Sequence, residues 1–137
     1  MTEEVEKALD CLCDTEALRS RSLRAVWLFG SHARGQPRPG SDLDFAVLCD
    51  PPLGLERTRL MDQLARELGR DVDVIDLASA SATLAWEVLT SGRLMIENDE
   101  LANEAFLRRT RYAAEDEARR NRMIVLAQAP RVGTKGS

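Results

Sequence analysis

The stretch 30–44 constrains this chain more than any other. It reads Gly-Ser-His-Ala-Arg-Gly-Gln-Pro-Arg-Pro-Gly-Ser-Asp-Leu-Asp, with an apolar run at 23–29 leading in and a second at 43–48 leading out. Gly30 lacks a Cβ, so its backbone can lie against a bulky anion. Ser31 carries a hydroxyl that suits a helix N-cap. A helix starting there turns free N–H groups and a positive dipole end toward a phosphate. Asp42 and Asp44 point to the same side of a strand, because side chains alternate. Two carboxylates on one side repel unless a cation lies between them. Hard oxygens match Mg²⁺, which takes one or two carboxylates plus substrate phosphates.

Ten residues, 32–41, separate Ser31 from Asp42. Parallel neighbours need a crossover of roughly a dozen residues or more. The shorter link predicts two adjacent antiparallel strands. The end of the first then lies beside the start of the second, so phosphate donors and metal ligands share one rim of the sheet.

Gly-Ser, about ten residues and Asp-x-Asp together resemble the signature of the DNA polymerase β-like nucleotidyltransferase superfamily. The fuller form, Gly-Ser-x-Ala-Arg-Gly followed by Ser-Asp-x-Asp, resembles the minimal nucleotidyltransferases. These are small bacterial proteins usually paired with a HEPN-domain toxin. The motif itself is short, but the order of elements resembles the family from about residue 9 to residue 96. A hairpin with a polar loop would account for Asp-x-Asp alone. It does not account for Gly-Ser and both carboxylates in order between two apolar strands. The resemblance implies an α/β (α+β) fold with a small mixed sheet flanked by helices and a long C-terminal helix. It implies ATP as substrate and two Mg²⁺ ions on Asp42, Asp44 and a third carboxylate. Gly30 and Ser31 would hold the β- and γ-phosphates, with Arg34 and Ser41 also on the nucleotide side.

The rest of the chain supplies the frame. Val5, Ala8, Leu9 and Leu12 fall at helical spacing in a helix expected over 3–19. The run 23–29 is apolar on both faces, as in a strand covered on both sides. Its Trp27 is expected in the core, with base stacking as the alternative. The strand 43–48 ends at Pro51-Pro52. A helix over 55–68 stops at Gly69. In the strand 71–77, alternation puts Asp71, Asp73, Ile75 and Leu77 on one side and Val72, Val74 and Asp76 on the other. The resemblance assigns the third carboxylate to Asp73. Asp76 is the rival, with a strand-end or capping role as its other use. A helix over 81–89, a strand over 93–97 and a last helix capped by Asp99 and running to about 127 complete the chain. His32, the single histidine, reads as a loop residue, with a phosphate contact or a base as the alternative. Arg34 is placed to neutralise a triphosphate, or else forms a surface ion pair.

A length of 137 residues argues for one domain, taken as 1–129, with 130–137 as a flexible tail. Acids outnumber bases 23 to 19, which argues against a direct grip on nucleic acid. No apolar run approaches the ~20 residues of a membrane span, and the acidic start lacks a secretory pattern. A cytoplasmic protein is expected. The Cys11/Cys13 pair has no second pair to complete a zinc site, so all three cysteines read as reduced thiols. The last helix is densely charged: a solvated face, or a surface for a partner. About forty residues follow Ile96, so the acceptor is expected to come from another protein. The resemblance implies adenylylation of a tyrosine on a cognate HEPN ribonuclease toxin within a hetero-oligomer. An antitoxin acting by binding alone, or a small-molecule nucleotidyltransferase, are the alternatives.

Overall fold

The computed structural model describes residues 2–33, 35 and 42–128. Arg34, Ser41 and the expected tail 130–137 lie outside the described residues. Among the described residues ten elements follow in order: α1 Glu3–Cys13, α2 Glu16–Arg19, β1 Ser22–Phe29, α3 Gly30–Ala33, β2 Leu43–Asp50, α4 Glu56–Leu68, β3 Val72–Asp76, α5 Ala82–Ser91, β4 Arg93–Glu97 and α6 Glu100–Gln128.

The first helix is shorter than its periodicity suggested. Thr2 caps α1, its side chain accepting from the Val5 N–H at 3.2 Å, and Val5, Ala8, Leu9 and Leu12 are buried. The chain then breaks at Asp14-Thr15. The buried Thr15 donates its hydroxyl to the Leu12 carbonyl at 2.8 Å, and α2 starts immediately after it. A threonine hydroxyl that bonds backward competes with the helix ladder, and the apolar spacing carries no sign of it.

The four strands form one mixed sheet in the order β3-β2-β1-β4. β1 is antiparallel to β2 and to β4, while β2 and β3 run parallel, joined through α4. β2 continues to Asp50, past the expected end at 48, because Ser22 still pairs with Asp50. One face of the sheet, with Val26, Leu28, Leu43, Phe45, Val47, Val72 and Val74, packs on α1, α2 and α4. The other, with Ala25, Trp27, Ala46, Leu48, Ile75 and Leu77, packs on α5 and on Phe106 of α6. Trp27 is 5% exposed and belongs to this second core.

α5 is capped as its sequence suggests. Ser81 accepts from the Leu84 N–H at 3.2 Å, and the Gly92 N–H closes the far end on the Val88 carbonyl at 2.7 Å. A Cβ on Gly92 would run into the Val88 and Leu28 carbonyl oxygens, so the turn into β4 needs a glycine. Asp99 accepts from the Ala102 N–H at 3.0 Å and starts α6. The first half of α6 buries Asn103, Thr110 and Ala114. From 118 to 127 every residue is exposed, including the apolar run Met123, Ile124, Val125 and Leu126.

Candidate active site

The strand register assembles the rim. Phe29 pairs with Asp44 across the antiparallel β1/β2 ladder, and Asp44 pairs with Asp73 across the parallel β2/β3 ladder. Neighbouring strands lie about 4.8 Å apart. Asp44 therefore stands one strand from the Gly-Ser turn and one strand from Asp73. Asp44 and Asp73 share the face that carries Ala46 and Ile75, and both are half-buried. Asp42, exposed, lies just ahead of β2 and in step with the start of β3, where the Leu43 N–H donates to the Asp71 carbonyl at 3.3 Å.

The Gly-Ser turn is shaped against these carboxylates. Gly30 has a φ of +75°, the left-handed region that glycine enters without steric cost. A Cβ there would collide with Asp44 Oδ2. The turn backbone is thus pressed onto the carboxylate that pairs with Asp73. The short helix α3 begins at Gly30, so Ser31 lies within its first turn rather than ahead of it as an N-cap. The first-turn N–H groups of any helix lack intrahelical acceptors, which leaves them for a ligand.

The two rival aspartates of β3 differ sharply in surroundings. Asp76 is 5% exposed, on the side opposite Asp73. Its Oδ2 accepts from the Gly54 N–H at 3.3 Å and from the Ser79 hydroxyl at 2.9 Å, tying the β2–α4 loop to the turn after β3. Asp73 instead faces the rim, where Arg57 Nη2 lies 3.4 Å from its Oδ1 while Arg57 Nε donates to the Val74 carbonyl at 2.5 Å. Both side chains are about two-fifths exposed, so the pair itself adds under about 1 kcal/mol. Sequence reasoning missed Arg57. Its only signal is spatial: the first turn of α4 lies along the outer edge of β3.

An open cavity of about 300 Å³ at the rim is lined by Asp42, Asp62, Asp71 and Asp73 together with Met61, Ala65 and Val72. So many carboxylates in one concavity make a field that gathers cations. Among the described residues, no three His, Cys, Asp or Glu side chains close into a ready-made metal cage. An open, carboxylate-only donor set on adjacent strands fits Mg²⁺, which keeps several waters and shares its remaining positions with phosphates. The thiols do not compete for this role. Burial, then Asp76 and Asp50, push the Cys49 thiol up to about 11 against the opposing pull of Arg21.

Residues 15–101 match the family described as Polymerase beta, Nucleotidyltransferase. Protein adenylyltransferase MntA of Shewanella oneidensis is 40% identical over 83 residues, which are 58% of this chain and 60% of that protein. The chain thus spans about three-fifths of the length of that relative. A crystal structure of a toxin–antitoxin with AMP-PNP contains a chain that superposes with a TM-score of 0.74 at 30% identity, covering 93% of this chain and 100% of that one. A structure of tri-AMPylated Shewanella oneidensis HEPN toxin in complex with MNT antitoxin gives 0.69 at 29% identity, covering 92% and 97%. Among the described residues, no helix is long and apolar enough to cross a membrane. The family match runs through all four strands and so takes in the sheet together with its acidic rim: this chain belongs to the polymerase β nucleotidyltransferase family.

Proposed function

We propose that this chain is an antitoxin that transfers AMP from ATP to a tyrosine hydroxyl of a cognate HEPN ribonuclease toxin and so silences it. It would act in the cytoplasm as part of a hetero-oligomer. The observation that carries the proposal is the register Phe29–Asp44–Asp73, which sets a glycine turn, a metal-type carboxylate and a third carboxylate on three successive strands. Support for the acceptor comes from the names of similar proteins: a protein adenylyltransferase and an antitoxin in complex with an AMPylated HEPN toxin. The three cysteines are free, as suits a reducing compartment.

In this reading Asp42, Asp44 and Asp73 would hold two Mg²⁺ ions. When bound, the ions neutralise the phosphates and the charge that develops on the attacking and leaving oxygens. Gly30 and Ser31 would orient the β- and γ-phosphates through backbone N–H groups, a role that the resemblance extends to Arg34 and Ser41. The acceptor oxygen attacks the α-phosphorus. An O–P bond forms, the bond to pyrophosphate breaks, and pyrophosphate leaves with the electron pair. Asp73 takes the hydroxyl proton. Positioning and charge neutralisation supply most of the rate, as in phosphoryl transfer generally.

A second reading, an antitoxin that acts by binding alone, is favoured by one observation: the exposed run Met123 to Leu126 on α6. The two readings differ at the rim. Calorimetry should show ATP binding that depends on Mg²⁺, falling by roughly a hundredfold or more in Asp42→Asn/Asp44→Asn as the charge pairing disappears. Equal ATP affinity in wild type and double variant would overturn the catalytic reading.

A further inference from the structure

We propose that the cavity at the free edge of β3 is the acceptor subsite, which takes an aromatic side chain and presents its phenolic hydroxyl to Asp73. This rests on the nucleotidyl-transfer reading above and adds the residues that receive the acceptor.

The direction of approach follows from strand order. In a phosphoryl-type displacement the attacking and leaving oxygens lie roughly in line across the phosphorus. On the transfer reading, pyrophosphate would lie at the turn after β1 and the α-phosphorus over Asp44 of β2. The attacking hydroxyl then arrives from the side of β3. Within the sheet β3 is an edge strand, with nothing in the ladder beyond it among the described residues. What lies there is a cavity of about 260 Å³ lined by Arg57, Ile75, Asp76, Ser79, Ala80 and Leu84. Ile75 follows Asp73 by two residues on the same side of the strand, about 6.6 Å along.

The lining selects the occupant. Ile75, Ala80 and Leu84 give apolar walls, and Leu84 is 39% exposed, an apolar surface still open to a ligand. The polar members are Arg57, Asp76 and Ser79, whose hydroxyl is already bonded to Asp76 Oδ2 at 2.9 Å. Arg57, bonded to Asp73, sits where the acceptor's oxygen would be. Asp76 Oδ1 is buried without a hydrogen-bond partner among the described residues, behind the cavity wall. An apolar body with a polar tip is the character of a tyrosine side chain. A serine or threonine reaching Asp73 would leave the Leu84 wall wet. Arg57 has a second use here, since a cation beside a phenol favours its ionised form. The transfer step balances as before: the phenolic oxygen bonds to the α-phosphorus, pyrophosphate departs with its electron pair, and the phenolic proton passes to Asp73.

The test uses the full chain with ATP and Mg²⁺ and two small probes, N-acetyltyrosinamide and N-acetylserinamide, with adenylylated probe read by mass spectrometry. Wild type should modify the tyrosine probe in preference to the serine probe. Leu84→Glu, at an exposed position that should not disturb folding, should raise KM for the tyrosine probe roughly ten- to a hundredfold. Its ATP affinity should stay that of wild type. Arg57→Lys should restore part of the kcat lost in Arg57→Ala and shift the pH profile of kcat, which a merely structural side chain would not do. Equal use of both probes, modification of neither while ATP still binds, or an unchanged KM in Leu84→Glu would each overturn the subsite. A fall in ATP affinity in Leu84→Glu would place the nucleobase in the cavity and also overturn it. Failure of wild type to bind ATP at all would instead overturn the transfer reading, and the subsite with it.

Discussion

The acidic rim and the outer half of α6 are built in opposite ways. At the rim, a few polar residues project from strands covered on both faces: Phe45, Ala46 and Val47 of β2 are fully buried directly behind Asp44. In the outer half of α6, residues 118–127 are all exposed, and its local support is the exposed i,i+4 pair of Arg120 with Asp116 at 3.6 Å, which continues the pattern of Arg111–Glu115 at 3.3 Å one turn earlier. Such pairs contribute about 0.2–0.5 kcal/mol each. Position at the rim is therefore inherited from the core. Position in the outer helix is not, and its apolar run is free to be used by something else.

The comparison can be broken in three ways, in falling order of effect. Leu64→Ala empties a fully buried place between α4 and the sheet, and should lower the unfolding free energy by about 2–5 kcal/mol. Leu126→Ala, from a position 75% exposed, should change it by less than about 0.5 kcal/mol. Denaturant titrations that give the two variants equal costs would show that the outer helix has a core of its own.

Gly30→Ala is the intermediate case. It forces a left-handed φ on a residue with a Cβ, which costs about 1–2 kcal/mol. It also pushes on Asp44 Oδ2, so ATP affinity should fall together with stability. A variant that loses stability yet keeps full ATP affinity would separate the turn from the site.

The smallest effect on stability is expected from the largest deletion. Removing 118–137 leaves Asn103, Phe106, Thr110 and Ala114 in place against α5 and the sheet. The unfolding free energy should then change by less than about 0.5 kcal/mol, while pull-down of the proposed HEPN partner should weaken severely. Undiminished pull-down by the shortened chain would remove the outer helix as the docking surface. A cut before Phe106 would not serve, because it would strip the second core.

Much of this architecture could be read in the residues. The Gly30–Asp44 stretch implied an antiparallel β1/β2 pair with both halves of the site at one rim, because a short link leaves little else. Period-two alternation put Asp73 and Asp76 on opposite sides of β3, as they are. The features that escaped notice depend on contacts distant in sequence or on one inward hydroxyl. Thr15 breaks the first helix by bonding back to Leu12. Asp76 is buried by a loop more than twenty residues earlier, through Gly54. Arg57 gains its place at Asp73 only because α4 passes the edge of β3. The point where α6 leaves the core was hidden by its dense charge, since charge alone does not tell a solvated face from a docking one.

The most direct measurement is the intact mass of the proposed HEPN partner after incubation with ATP, Mg²⁺ and wild type, Asp73→Asn or Asp76→Asn. Asparagine keeps the size of aspartate but cannot take the proton and ligates a metal poorly. Wild type should add adenylate mass to the partner. Asp73→Asn should bind ATP and the partner yet slow the addition by roughly a hundredfold or more. Asp76→Asn should retain the chemistry, with any loss appearing in thermal stability through its bonds to Gly54 and Ser79. Normal addition by Asp73→Asn, with addition abolished in a folded Asp76→Asn, would contradict the assignment of the third carboxylate. Protection of cells by all three proteins with no mass added by any would contradict catalysis itself.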